Sequence, residues 1–168
     1  MTENYQDIFD ASQQGFPWTG LLWSLVGLSI ISTGLYWVKY REKLPVLWRE
    51  VGLLGAGASI IFGTCFTVVV TTSLLSAHSQ AIDALQTGTA SVTEGQVISV
   101  ITMAGGKAQS FTVSGVRFTY SEYSESVGYH HTTTHGGVIN EGIYVRIHYM
   151  YIEGDPSEPA ILKLETKK

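Results

Sequence analysis

Three histidines crowd one short polar stretch. His130, His131 and His135 lie within Gly128-Tyr129-His130-His131-Thr132-Thr133-Thr134-His135-Gly136-Gly137. Neutral imidazole is the commonest side-chain ligand for zinc and similar ions, so any metal chemistry in this chain belongs here. His131 and His135 are four residues apart. On an extended strand they share a face but stand about 13 Å apart, too far for one ion. A folded loop could gather them with His130 as the third ligand. No Cys is near, and no Asp or Glu lies inside the stretch. The expectation is a solvated loop whose histidines titrate freely, with no bound metal and no cofactor.

Other candidate chemistry is thinner. Ser124 and Ser126 flank Glu125 close to the histidines, but no Gly-x-Ser-x-Gly elbow is present. Gly105-Gly106-Lys107 lacks the spacing of a phosphate loop. Both readings point away from an enzyme. Arg117 and Arg146 fall mid-strand on polar faces, with Glu122 or Glu94 in reach, and could form one exposed basic spot. Together with Tyr144 and His148 they are the candidate contacts for a ligand or partner. Tyrosine and arginine are enriched where proteins meet.

These residues must be positioned by two very different regions. Gly20–Val38 and Val51–Ala77 contain no charged side chain, and each exceeds the roughly 18 residues that cross a bilayer core. Between them, Lys39–Glu50 carries Lys39, Arg41, Lys43 and Arg49. Basic residues beside spans stay cytoplasmic. The reading is a two-helix transmembrane hairpin over 17–77 with a cytoplasmic turn at 39–50 and both termini outside. In a bacterium the chain then sits in the cytoplasmic (inner) membrane, and outside means the periplasm when there are two membranes. Met1–Phe16 has Glu3, Asp7 and Asp10 and no Lys or Arg, which is the reverse of a cleavable leader, and 1–16 reads as an extracytoplasmic tail. Aromatic residues mark the interfaces: Phe16, Trp18 and Trp23 at the outer end, Tyr36, Trp37, Tyr40 and Trp48 at the inner end. The single cysteine, Cys65, lies within the second run, so no internal disulfide forms.

Small residues recur at helical intervals. Gly20, Gly27 and Gly34 repeat every seven residues. Gly55, Ser59, Gly63, Thr67 and Thr71 repeat every four. Such stripes let helix backbones approach closely, either within the hairpin or between copies. No ionisable group lies inside either run, which argues against a transporter or proton relay. The helical spacing continues through Ala77–Gln86, with Gly88 as a stop, so 78–89 reads as a stalk and linker.

From Ala90 the pattern turns to short alternating runs. Strands are expected over Val92–Met103 with a bulge at Gly95, Gln109–Val113, Val116–Tyr120, Tyr129–Thr134, Ile143–Tyr151 and Ala160–Leu164, with a tight Ser114-Gly115 hairpin and a turn over Gly154–Pro159. Six short strands and no helix over 90–168 imply a small antiparallel β-barrel, OB-like or SH3-like. The net charge of −4 argues against nucleic acid as a partner class.

Certain motifs carry a resemblance: Glu94-Gly95-Gln96-Val97, Phe111–Tyr120 with its Ser114-Gly115 turn, Gly142, Val145-Arg146-Ile147-His148-Tyr149, and Pro159-Ala160-Ile161-Leu162. Over about its last 75 residues the chain resembles the small extracytoplasmic β-domains of uncharacterised bacterial membrane proteins. The layout also resembles membrane-anchored OB-fold proteins that assist other membrane proteins. The resemblance implies a fold and a compartment and carries no activity. The functional expectation is an interaction module that binds a protein partner or its own copies. The alternative is a sensor or effector whose barrel takes a small ligand while its spans oligomerise.

Overall fold

The computed structural model describes residues 4–15, 18–43, 45–103, 108–124, 127–152 and 155–167. Phe16, the Gly105-Gly106-Lys107 stretch, Glu125 and Ser126, and the side chain of Trp48 lie outside the described residues. The chain forms two compact units, Pro17–Ser76 and a second made of Met1–Phe16 with Ala77–Lys168.

The first unit is helical. α1 spans Trp18–Tyr40, a 3-10 turn covers Arg41–Lys43, and α2 begins at Val46 and runs to Gln86. Pro45 lacks an N–H to contribute, and its carbonyl accepts the Arg49 N–H at 3.2 Å, so the helix starts just after it. Several hydroxyls inside the apolar runs return to their own helix. Ser32 donates to the Leu28 carbonyl, Thr33 to Ser29, Thr64 to Ile60 and Thr72 to Val68, all at 2.7–2.9 Å. Both helices are long and apolar enough to cross a membrane. Their large side chains point outward; Leu54 is 78 % exposed and Ile61 67 %.

The contact between α1 and α2 uses part of the expected stripe. A Cβ on Gly27 would strike Thr67 Oγ1, one on Gly34 would stand 2.8 Å from the Ala56 carbonyl, and one on Gly63 2.8 Å from the Gly27 carbonyl. Ser24 and Thr71 share a hydroxyl hydrogen bond across the pair at 2.9 Å. Gly55 and Ser59 lie elsewhere. A Cβ on Gly55 would meet nothing within 4 Å, and the buried position is Ala56. The reason is angular. Four residues advance a helix by about 400°, so a strict four-residue stripe drifts about 40° per step, whereas seven residues return to within about 20°. Counting back seven from Gly63 reaches Ala56. The surroundings of Gly20 lie outside the described residues.

The second unit is a six-stranded antiparallel sheet. Its strands are β1 (Tyr5–Asp10), β2 (Ser91–Thr102), β3 (Ala108–Val113), β4 (Val116–Ser121), β5 (Tyr144–Ile152) and β6 (Asp155–Lys167), in the order β1-β6-β5-β2-β3-β4. The expected tail at 1–16 therefore supplies an edge strand, paired along β6 from Tyr5↔Lys167 to Asp10↔Lys163. β2 is shared. Its first half pairs with β5 and its second with β3, and the register shifts between Ile98 and Ile101, where Ser99 adopts φ 55°. The bulge thus falls at Ser99 and not at Gly95. Ser114 and Gly115 both take positive φ and close the β3–β4 hairpin, with Val113 opposite Val116.

The sheet does not close into a barrel. β1 and β4 are its ends, and the stretch expected as a strand at Tyr129–Thr134 is a loop with a 3-10 turn at Thr133–His135. That loop packs on the core: Tyr129 and Ile139 are buried in it, and the Tyr129 N–H bonds the Ile161 carbonyl at 3.0 Å. β6 is also longer than Ala160–Leu164 and begins at Asp155, inside the expected turn. Val97, Phe111, Val113, Phe118, Val145, Ile147 and Leu164 fill the core, joined by Phe9 from β1. α2 contributes its last turns, since Ala81 is buried and Leu85 packs on the core, so the expected stalk belongs to the sheet unit.

Candidate functional site

One face of the β1-β6-β5-β2 half of the sheet is polar, and cross-strand register assembles it. Glu94 on β2 stands opposite Arg146 on β5, Arg146 opposite Glu165 on β6, His148 opposite Lys163, and Asp7 on β1 opposite Glu165. Opposed pairs in antiparallel strands have their Cβ atoms close enough for direct contact. Arg146 donates Nε to Glu94 Oε2 at 2.8 Å. The Tyr5 and Tyr144 hydroxyls donate to Glu94 Oε1 at 2.5 and 3.2 Å. Lys163 Nζ reaches Glu165 Oε1 at 2.7 Å and Asp7 Oδ1 at 3.1 Å. His148 Nε2 lies 3.7 Å from Glu165 Oε2. Lys167 Nζ sits 5.1 Å from the Tyr144 ring centroid.

The electrostatics follow from these bonds. The Tyr5 hydroxyl, then Arg146, holds the Glu94 carboxyl below its ordinary value. The hydrogen bond from Lys163 does the same for Asp7. Burial pulls the Lys163 ammonium down, but its bonds to Glu165 and Asp7 outweigh that and its pKa lies above the ordinary lysine value. Asp7, Glu94 and Glu165 face Arg146, Lys163 and Lys167, so the face is balanced and presents tyrosine rings and short ion pairs, not a field of one sign.

Three of the four contact residues named from sequence, Tyr144, Arg146 and His148, thus meet on this face. Arg117 does not join them. It lies on β4 and donates to Ser110 Oγ on β3 at 3.4 Å, so no single basic spot forms with Arg146. Sequence reasoning missed Tyr5, Asp7, Lys163 and Glu165, which come from the unrecognised strand β1 and the underestimated strand β6.

The histidine loop is organised by two residues outside it. Glu122 accepts the Thr132 N–H and hydroxyl at 3.1 and 2.6 Å and pairs with His135 Nδ1 at 2.8 Å. The bond from the Thr132 hydroxyl lowers the Glu122 pKa, and the imidazole adds to the effect. Gln109, fully buried, is the second organiser. Its Nε2 donates to the Ile139 carbonyl at 3.1 Å, and its Oε1 accepts the Tyr120 hydroxyl and the Thr133 N–H at 3.1 and 3.0 Å. Gln109 shares strand parity with Phe111 and Val113, so a polar residue on a core face was the signal that could have found it. Burial raises the hydroxyl pKa of Tyr120, and of Tyr129, whose oxygen accepts the Val138 N–H. Gly137 is required by a close approach, since a Cβ there would collide with the His131 carbonyl.

The loop does not gather its histidines. His135 turns to Glu122, the His131 ring packs edge-on against Tyr129, and His130 is half-buried. Among the described residues no cluster of three His, Cys, Asp or Glu side chains could hold a metal ion. Comparison with protein families, with curated proteins and with solved structures gives no match to this chain.

Proposed function

We propose that the chain is a membrane-anchored interaction module. α1 and α2 cross the cytoplasmic membrane as a hairpin, the basic turn faces the cytoplasm, and the sheet unit stands outside, where it binds a protein partner or another copy through the face bearing Tyr5, Tyr144, Arg146 and His148. The observation that carries this reading is the pairing of β1 with β6. The chain before α1 and the chain after α2 build one sheet, and a chain that leaves and re-enters one folded unit crosses a bilayer an even number of times in between. Two apolar helices give that number. The outward apolar surface of those helices adds support, because exposed apolar patches of that extent mark a membrane or another protein. Hydroxyls bonded back to their own backbone add more, because hydrocarbon offers them no other partner.

The test is a pair of fusions, one before residue 1 and one after Lys168, each carrying a reporter active only outside the cytoplasm. Both fusions are expected to be active. Activity of a cytoplasmic reporter at either end would overturn the reading.

A further inference from the structure

We infer that the turn end of the helical hairpin binds an anionic phospholipid, with its phosphate among Lys39, Lys43 and Arg49 and one acyl chain in a cleft between α1 and α2. The inference rests on the membrane reading above and gives the hairpin a specific lipid partner.

The cleft has a volume of about 250 Å³ and is lined by Thr33 and Trp37 of α1 and by Val51, Gly52, Gly55, Ala56 and Ser59 of α2. It exists because the small residues at 55 and 59 have rotated off the helix contact. A Cβ on Gly55 would meet nothing within 4 Å, while Trp37 packs directly over Gly52. Its two hydroxyls are already spent: Thr33 donates to the Ser29 carbonyl and Ser59 to the Gly55 carbonyl, each at 2.9 Å. The lining therefore offers methyl, methylene and indole surface and few donors. That is chemistry for a hydrocarbon chain and not for a polar solute.

Cations stand at the same end. Arg49 lies three residues before Gly52, near the same helix face, and Lys39 follows Trp37 by a rise of about 3 Å along the axis. The Lys39 and Lys43 ammoniums lie 5.6 and 5.3 Å from the centroid of the same ring, Tyr40. Among the described residues no carboxylate forms an ion pair with Lys39, Arg41, Lys43 or Arg49. The sheet unit behaves differently, since Arg146 and Lys163 there are paired with carboxylates. Four cations against Glu42 and Glu50 leave Lys39–Glu50 with a net charge of +2, which beside an apolar cleft matches a molecule with a negative phosphate on a long chain. A zwitterionic headgroup brings its own cation into the cluster and is disfavoured. A helix from a second copy could enter the cleft but would leave the cations unanswered.

The test uses the full chain in detergent. Native mass spectrometry measures retention of phosphatidylglycerol and of phosphatidylcholine with identical acyl chains. The wild-type chain is expected to retain phosphatidylglycerol at least tenfold better. Lys39→Gln with Lys43→Gln changes only exposed side chains and is expected to lower that retention about fivefold per lysine. Gly55→Leu fills the cleft and is expected to lower retention of both lipids, with helix content unchanged. Equal retention of the two lipids would overturn the inference, leaving the basic turn as an orienting signal alone. Indifference to Gly55→Leu, or dimers in place of lipid adducts, would overturn it through the cleft. Release of the chain from membranes by alkaline carbonate would overturn the membrane reading itself, and the two failures are therefore distinguishable.

Discussion

The guanidinium of Arg146 lies over the ring of Tyr5, 3.9 Å from its centroid, while its Nε donates to Glu94. One residue precedes both helices and the other follows them, so this stack ties the two ends of the chain into one surface. Tyr5→Ala removes a cation–π contact and a hydroxyl bond to Glu94. It should cost the sheet unit about 1–2 kcal/mol, read from chemical unfolding. Tyr5→Phe keeps the ring and should cost less. Identical losses in both variants would mean that the hydroxyl alone matters.

Gln109 is the polar pin of the loop that caps the core. Gln109→Leu leaves the Ile139 carbonyl, the Tyr120 hydroxyl and the Thr133 N–H without that partner in a buried setting. The expected loss is about 3 kcal/mol, with hydrogen-exchange protection falling first over 129–139. A change within about 0.5 kcal/mol would show that the loop is held by its apolar residues.

The helix contact predicts an asymmetry between two glycines. Gly27→Leu must displace Thr67 and the Gly63 carbonyl and should loosen the hairpin by about 1–2 kcal/mol in detergent. Gly55→Leu meets open space and should leave thermal stability unchanged. Equal effects would mean that the packed stripe is the four-residue one after all.

The sheet unit should lose stability in acid before base. Asp7, Glu94 and Glu122 have folded pKa values below their unfolded values. Their contribution is complete above the ordinary carboxylate range and disappears as pH falls through it toward the depressed values. Lys163 is shifted upward, so its contribution is complete below its ordinary value of 10.5 and is lost at higher pH. Unfolding midpoints should be level from about pH 6 to 9 and fall below about pH 4.5. His135→Ala should change little at neutral pH, since His135 is exposed and Glu122 keeps its bonds to Thr132. A drop centred near pH 6.5 would instead make the histidine loop part of the unit's stability.

Much of the fold is legible where period is unbroken. Val116, Phe118 and Tyr120 alternate and face the core, and Ser114-Gly115 turns as a hairpin demands. β1 was illegible because a bulge breaks its pattern: Asp7 pairs with Glu165 but Phe9 with Leu164, so Ile8 is extra and the apolar positions at 5, 8 and 9 leave the two-residue period of a strand and fall at helical spacing instead. β6 was cut short for the same reason, with a register shift opposite His148 and Tyr149 and a proline at 159. The polar face followed that loss. Tyr144, Arg146 and His148 show themselves on one strand, but their partners Tyr5, Asp7, Lys163 and Glu165 become neighbours only through pairings that no local pattern encodes.

Cysteine labelling tests whether the chain leaves and re-enters one sheet through a membrane hairpin. With Cys65 changed to Ala, single cysteines are placed by Gln6→Cys on β1, Arg41→Cys in the turn and Lys167→Cys on β6, and intact cells are treated with a membrane-impermeant thiol reagent. Gln6→Cys and Lys167→Cys are expected to label together, and Arg41→Cys only after the membrane is opened. Labelling of Gln6→Cys without Lys167→Cys, or of Arg41→Cys alongside them in intact cells, would contradict this topology.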